Sequence, residues 1–301
     1  MKTEAVARST RNPFGQIVLS SRPVSWINTA FPFAAAYLLT TGGIDALFVV
    51  GTIFFLIPYN LLMYGVNDVF DYESDARNPR KGGAEGALLE PRLHRPVVWA
   101  GVVTATPLVA LMLWLGGTGH PWSWLVLAVS LFAVFAYSVP GLRFKERPVL
   151  DSVTSSIHFV SPAVYGLAVA GAEPTPQLMA LMTAFFCWGM ASHAFGAVQD
   201  VVPDREAGIA SIATAFGART TVRIALALWF TAGLLMLMTT WPGPLAAALV
   251  VPYLAAAWPY RSVTDAESGR ANGGWRWFIV LNYGVGFLVT MLLIWWALVR
   301  A

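Results

Sequence analysis

The stretch FFLIPYNLLMYGVNDVFDYESDARNPRKGG, residues 54 to 83, runs from side chains suited to hydrocarbon into three aspartates and a basic tail. Its first half continues an apolar run that begins near residue 45, and about 20 such residues are what an α-helix needs to cross a bilayer. Its second half places Asp68, Asp71 and Asp75 at i, i+3 and i+7, which is one face of a helix that continues past the apolar run. Asn60 and Tyr64 extend the stripe upstream. A polar stripe that leads down a membrane helix into three acids reads as the wall of a site.

The rest of the chain has the same character. Of its 301 residues 57% are hydrophobic and only 12% charged, against roughly 25% charged in soluble domains. The expected fold is all-α and polytopic, with nine spans near residues 23–41, 45–67, 96–116, 122–140, 149–170, 177–199, 219–240, 243–260 and 275–298. Residues 1–22 read as a cytosolic tail in which Phe14 to Leu19 suits a short interfacial helix, and 23–301 as one transmembrane domain. Trp26, Asn28 and the length of the first apolar run favour a retained span over a cleaved leader. The single cysteine, Cys187, lies inside an apolar run, so it reads as a small packing residue.

Basic residues set the orientation. With the tail in the cytosol, every Lys and Arg except Arg300 falls in the tail or beside the loops after even-numbered spans, as the positive-inside rule requires. The protein is thus expected in the cell membrane, with its site opening to the cytosol. The net charge of +3 follows from this topology and implies no nucleic-acid partner.

A second acidic cluster follows the sixth span in GAVQDVVPDREAGIASIAT, residues 196–214. Asp200 and Asp204 are one turn apart, with His193 and Gly196 on the face above them. VNDVFD at 66–71 and VQDVVPD at 198–204 resemble each other, a weak internal repeat that would set two acidic helix ends across a shared cavity. One such cluster could be a solvated juxtamembrane face; two matched clusters argue for a cation between like charges. Mg²⁺, which takes oxygen ligands and shares them with phosphate, fits best. Neither cluster has the spacing of a calcium-binding loop, and no Cys/His pattern suits zinc.

Basic residues complete the constellation. Arg77, Arg80 and Lys81 follow the first cluster, and YSVPGLRFKERP at 137–148 carries Arg143, Lys145 and Arg147. Such groups bind phosphate oxygens and stabilise charge on a leaving diphosphate, although positive-inside anchoring explains any one of them equally well. Inside the spans, Asn28, Asn60, Asp151, His158 and His193 are candidates for a polar cavity wall or for hydrogen bonds between helices. Asp151 is expected to pair with Arg143 or Arg147. Aromatic residues, 13% of the chain, could stabilise a cation, but Trp and Tyr also populate membrane interfaces.

NDxxDxxxD from Asn67 to Asp75, YSVPGLRFK from Tyr137 to Lys145, DxxxD from Asp200 to Asp204 and the Ser21-Arg22-Pro23 lead-in to the first span together resemble the UbiA superfamily of intramembrane prenyltransferases. The likeness runs through nearly the whole chain. SSRPVSWINTAFPFAAAYLL, RFKERP and the two acidic segments are similar to the branch that elongates lycopene in bacterial C50 carotenoid synthesis. The resemblance implies nine helices around a cavity that opens to lipid for an apolar acceptor, and magnesium ions bridging aspartates to a prenyl diphosphate. By it Asn67, Asp68, Asp71, Asp75, Asp200 and Asp204 hold metal, with Tyr137, Arg143, Lys145, Arg80 and Lys81 at the diphosphate.

The donor implied is dimethylallyl diphosphate, the acceptor lycopene or another apolar polyene, and a carotenoid cyclase is a candidate partner. Arg80-Lys81-Gly82-Gly83 departs from the arginine-arginine-proline sequence of many quinone-precursor enzymes, which leans away from an aromatic acceptor. A transporter is the alternative of a different class. Transporters place charge near the midplane on broken helices, whereas these acids fall at helix ends.

Overall fold

The computed structural model describes residues 12–75 and 88–300; Arg77, Arg80, Lys81 and the side chain of Asp75 lie outside the described residues. Every regular element among the described residues is helical. The chain divides into two compact units, one of residues 1–143 and 161–172, the other of residues 144–160 and 173–301.

The first unit begins with α1 (Pro13–Ser20), started by Asn12 accepting from the Phe14 amide and by Pro13 at the first position. The helix expected at Phe14 to Leu19 is therefore present. Next come α2 (Ile27–Thr41), α3 (Ala46–Leu56), α4 (Pro58–Phe70) and α5 (Tyr72–Asp75), then α6 (His94–Gly116) and α7 (Pro121–Ser138). Asp45 caps α3 by accepting from the Phe48 amide at 2.8 Å and takes the Tyr37 hydroxyl on its other oxygen at 2.7 Å.

The span expected at 45–67 is two helices. Pro58 has no amide proton to continue α3, and the carbonyls freed at the break must be satisfied internally where no water reaches them. Asn60 does this. Its Nδ2 donates to the carbonyls of Phe55 (2.9 Å) and Leu56 (3.0 Å) and to Thr29 Oγ1 (2.7 Å), while Thr29 itself donates to Phe55 O. The unit's core is aromatic. Phe33 meets Phe55 at 5.2 Å and Tyr165 at 5.9 Å between ring centroids. Gly51 is required there, since a Cβ would fall 2.2 Å from the Phe33 ring.

The second unit opens at α8 (Leu150–Val169), whose residues from Ser161 belong to the first unit. It continues with α9 (Pro176–Val198), α10 (Val201–Glu206), α11 (Ile212–Phe216) and α12 (Ala218–Met236), a 3-10 stretch at Gly243–Val250, α13 (Val251–Ala257) and α14 (Asn272–Arg300). Thr175 caps α9 and Ser211 forms a capping box with Thr214 on α11. Trp229 stacks on Tyr253 at 5.7 Å and Trp275 on Phe278 at 4.7 Å, giving this unit its own aromatic core.

Among the described residues seven helical stretches are long and apolar enough to cross a membrane: 46–70, 91–116, 121–138, 176–198, 218–236, 243–260 and 265–299. The expected spans at 23–41 and 149–170 form helices that fall short of that measure. Helix α2 has 15 residues, about 22 Å at 1.5 Å per residue. Helix α8 is long enough but buries Asp151, Ser152, Thr154, Ser156, His158 and Ser161, so its polar side is covered by protein.

Candidate active site

The first acidic motif forms where α4 ends. Asp71 is the residue that caps it, its amide still bonded to Asn67 O, so the helix carries Asn67, Asp68 and Asp71 to its last turn as their spacing implies. Asp68 is 1% exposed. An isolated buried carboxylate is costly, and Arg22 meets the need with Nη2 2.9 Å from Asp68 Oδ1. The guanidinium also lies 4.3 Å over the Tyr64 ring. At the second acid, Arg143 Nη2 lies 3.7 Å from Asp71 Oδ1, a looser and more exposed pair. Ser138, the last residue of α7, donates to Asn67 Oδ1 at 3.0 Å, and its neighbour Tyr137 is half-buried.

The arginines share a further property. Among the described residues only Arg22 (φ 50°), Arg143 (φ 39°) and Val149 (φ 72°) are non-glycine positions in the left-handed region. Each such residue costs about 1–3 kcal/mol and persists where the surroundings over-determine it. Both strained arginines face an aspartate of the motif. Arg22 was not among the residues expected at the site; the Ser21-Arg22-Pro23 string pointed to it without giving its partner.

The second motif lies between α9 and α10. Asp200 occupies the junction and its carbonyl accepts from the Asp204 amide at 2.9 Å, so the two acids are one turn apart. Both are half-buried. The helix end is fastened by Gln199, which donates to Gly196 O and accepts from Asn272 Nδ2. One turn above Asp200, Trp275 packs so closely on Gly196 that a Cβ would lie 3.0 Å from the ring. Beyond the motif, Arg205 joins Asp265 Oδ2 at 2.6 Å and donates to Thr214 O, while Asp265 Oδ1 accepts from the Ala218 amide.

The candidate cavity residues separate. Asn60 is fully buried and its amide nitrogen fastens the break between α3 and α4, whereas Asn28 is exposed. His158 is buried, and His193 Nδ1 is 3.1 Å from Ser152 Oγ. Lys145 sits half-buried on a short 3-10 turn, Phe144–Glu146. The expected pairing of Asp151 with Arg143 or Arg147 does not occur: its two oxygens accept from the backbone amides of Ser152 and Ile212. Main-chain N–H donors form strong, charge-assisted hydrogen bonds to a carboxylate.

The donor chemistry suits Mg²⁺. Carboxylate and amide oxygens are hard ligands, and Mg²⁺ takes only one or two carboxylates while filling its shell with water and substrate phosphate. Among the described residues no three acidic, histidine or cysteine side chains converge on one point.

Comparison with known proteins agrees. A profile of the UbiA prenyltransferase family matches residues 29–282. The chain is 56% identical to the C(50) beta-cyclic carotenoids biosynthesis protein LbtBC of Dietzia sp. (strain CQ4) across 93% of its own length, and spans 64% of that relative. It is 50% identical to the lycopene elongase/hydratase of Corynebacterium glutamicum, covering 92% of this chain and 96% of that one. Among solved structures, a UbiA homolog from Archaeoglobus fulgidus bound to GPP and Mg²⁺ superposes with a TM-score of 0.60 at 18% identity, covering 90% of this chain and 99% of that one. An apo UbiA homolog from Aeropyrum pernix K1 gives 0.62 at 20% identity, covering 88% and 98%. The chain belongs to the UbiA prenyltransferase family.

Proposed function

We propose that this membrane protein is a lycopene elongase, transferring a dimethylallyl group from dimethylallyl diphosphate to each end of lycopene. The observation that carries the reading is the 50% identity to the Corynebacterium glutamicum lycopene elongase/hydratase over nearly the full length of both chains. Asn67, Asp68, Asp71 and Asp75 in one motif and Asp200 and Asp204 in the other are the proposed Mg²⁺ ligands. Magnesium, when bound, supplies positive charge that favours loss of diphosphate.

The chain's residues have separable tasks. Arg22 holds the Asp68 carboxylate in place through a 2.9 Å bond, which orients a buried ligand. Arg143, at 3.7 Å from Asp71 and partly exposed, is proposed as a diphosphate ligand, together with Tyr137, Lys145, Arg80 and Lys81. As the allylic carbon–oxygen bond breaks, its electron pair leaves on the diphosphate. The terminal double bond of lycopene then forms the new carbon–carbon bond. The tertiary cation that results loses a proton or takes up water, giving C45 and then C50 products. Free water would quench the first cation, so the reaction needs surroundings that exclude it.

The near-complete segregation of Lys and Arg to alternate loops supports the proposal that both motifs face the cytosol at the cell membrane. A carotenoid cyclase is proposed as the consumer of the product. Expression in a lycopene-accumulating host with mass analysis of the pigments tests the reading. C45 and C50 species are expected; unchanged lycopene beside a stable, membrane-inserted protein would overturn the assignment and return an aromatic acceptor to consideration.

A further inference from the structure

The start of α8 contains a carboxylate that the proposed chemistry does not use. Asp151 is 0% exposed in a membrane protein, a placement that is expensive unless every oxygen is satisfied. Oδ1 accepts from the Ser152 amide at 2.7 Å and Oδ2 from the Ile212 amide at 2.7 Å. Ile212 is the first residue of α11, just after the Asp200–Asp204 segment. The next residue, Ser152, also fully buried, has its hydroxyl 3.1 Å from His193 Nδ1. His193 lies on α9 two turns before Asp200, on the face that leads to it.

Consecutive residues of α8 therefore grip the chain on both sides of the second acidic motif, His193 before it and Ile212 after it. The approach to this grip is itself constrained. Val149, a β-branched residue, is held at φ 72° immediately before α8, where such a conformation is a genuine outlier. Inside the gripped segment the chain turns back on itself, with the Ile209 amide bonded to Asp204 O at 2.8 Å. The carboxylates of Asp200 and Asp204 thus sit on a short stretch whose two ends are anchored to one rigid helix start.

We propose that Asp151, with Ser152, is a positioning residue that presets the second acidic motif for its cation. This rests on the reading of Asp200 and Asp204 as Mg²⁺ ligands. Groups that hold metal ligands in place typically change metal affinity by about 10–100-fold when removed. The clamp predicts the lower part of that range, because the turn from Asp200 to Asp204 is also held by its own helix.

The test uses the purified full chain in detergent, with Mn²⁺ as a paramagnetic probe and an unreactive thio-analogue of dimethylallyl diphosphate. Asp151→Ala is expected to weaken Mn²⁺ binding, read by electron paramagnetic resonance, and to raise the Mg²⁺ needed for half-maximal turnover, each by about tenfold. Saturating Mg²⁺ should restore most of kcat, which a merely structural defect would not allow. Asp151→Asn keeps an oxygen for the Ile212 amide and should recover most of the affinity. Ser152→Ala should show a smaller loss in the same direction, and these two milder variants carry the test if Asp151→Ala does not fold. Faster amide exchange at Ile212 reports that the clamp has opened. Faster exchange with unchanged Mn²⁺ and Mg²⁺ dependence, in a protein whose Asp200→Ala variant has lost the metal, overturns the inference. If Asp200→Ala and Asp204→Ala also leave metal binding unchanged, the reading of the motif fails instead.

Discussion

The two acidic motifs look alike in sequence and are held by different means. Asp68 and Asp71 are met directly by guanidinium groups, one tight at 2.9 Å and one loose at 3.7 Å, on arginines whose own backbones are strained. The chain that carries Asp200 and Asp204 is fastened at neighbouring residues: Asp151 on the Ile212 amide, Asn272 on Gln199, and Asp265 joining Arg205 to the Ala218 amide. The first arrangement brings a cation to each acid; the second ties down the chain on either side of the acids. Substitutions that remove a cation should therefore injure the first motif, and those that release a main-chain amide the second.

Arg22→Ala should have the largest effect on stability. Removing one partner of a buried ion pair leaves an uncompensated carboxylate, which costs about 3–5 kcal/mol, here toward the lower end because Arg22 is partly exposed. Thermal unfolding in detergent would measure it, and a loss below about 1 kcal/mol would show that charge pairing does not hold Asp68. Arg22→Lys should recover only part, since an ammonium cannot reproduce the guanidinium fork or its stacking on Tyr64.

Asp265→Ala should come next, at about 1–2 kcal/mol, because it removes the acceptor for the Ala218 amide as well as a partly exposed ion pair. Hydrogen exchange over residues 205–218 should rise while residues 58–71 stay unchanged. Equal changes in both would contradict the separation drawn between the motifs. Arg143→Ala should alter stability by only about 0.5 kcal/mol, with the difference vanishing at high salt, yet raise the KM for the prenyl diphosphate. A large stability loss would show that Arg143 is a structural brace.

The smallest effect concerns pH at the edge of the first unit. The amide of Gln16 and then the guanidinium of Arg92 hold the Glu90 carboxyl below the usual glutamate value. A depressed carboxylate contributes fully above its unfolded pKa, and the contribution is lost as pH falls through the folded value. Mild acidification below the ordinary glutamate range should loosen α1, followed by Trp26 fluorescence. Glu90→Gln should abolish that response.

Much of this was readable in the residues. The spacing of Asp68 and Asp71, and of Asp200 and Asp204, follows from helical geometry, whereas Asp75 falls on a separate short helix, α5, because α4 ends at Phe70; the all-helical membrane class follows from the apolar runs. The second span was expected unbroken, and the repair by Asn60 of its break at Pro58 depends on Thr29, a contact between distant parts of the chain. Arg22 is 46 residues from Asp68, and its left-handed backbone has no glycine to advertise it. Asp151 misled because the nearest cations in sequence, Arg143 and Arg147, were natural partners, whereas the bond it makes reaches an amide 61 residues away. Local periodicity specifies faces; which face meets which depends on packing that no short window contains.

The central claim is that both acidic motifs serve Mg²⁺-dependent loss of diphosphate. It is tested most directly by measuring diphosphate released from dimethylallyl diphosphate, with lycopene in detergent, by purified wild type, Asp68→Ala and Asp200→Ala. The account predicts Mg²⁺-dependent release by wild type and at least about 100-fold less from either folded variant, the scale of losing a charge-stabilising group at a reacting centre. Full release from either variant, or release by wild type without divalent metal, would contradict it.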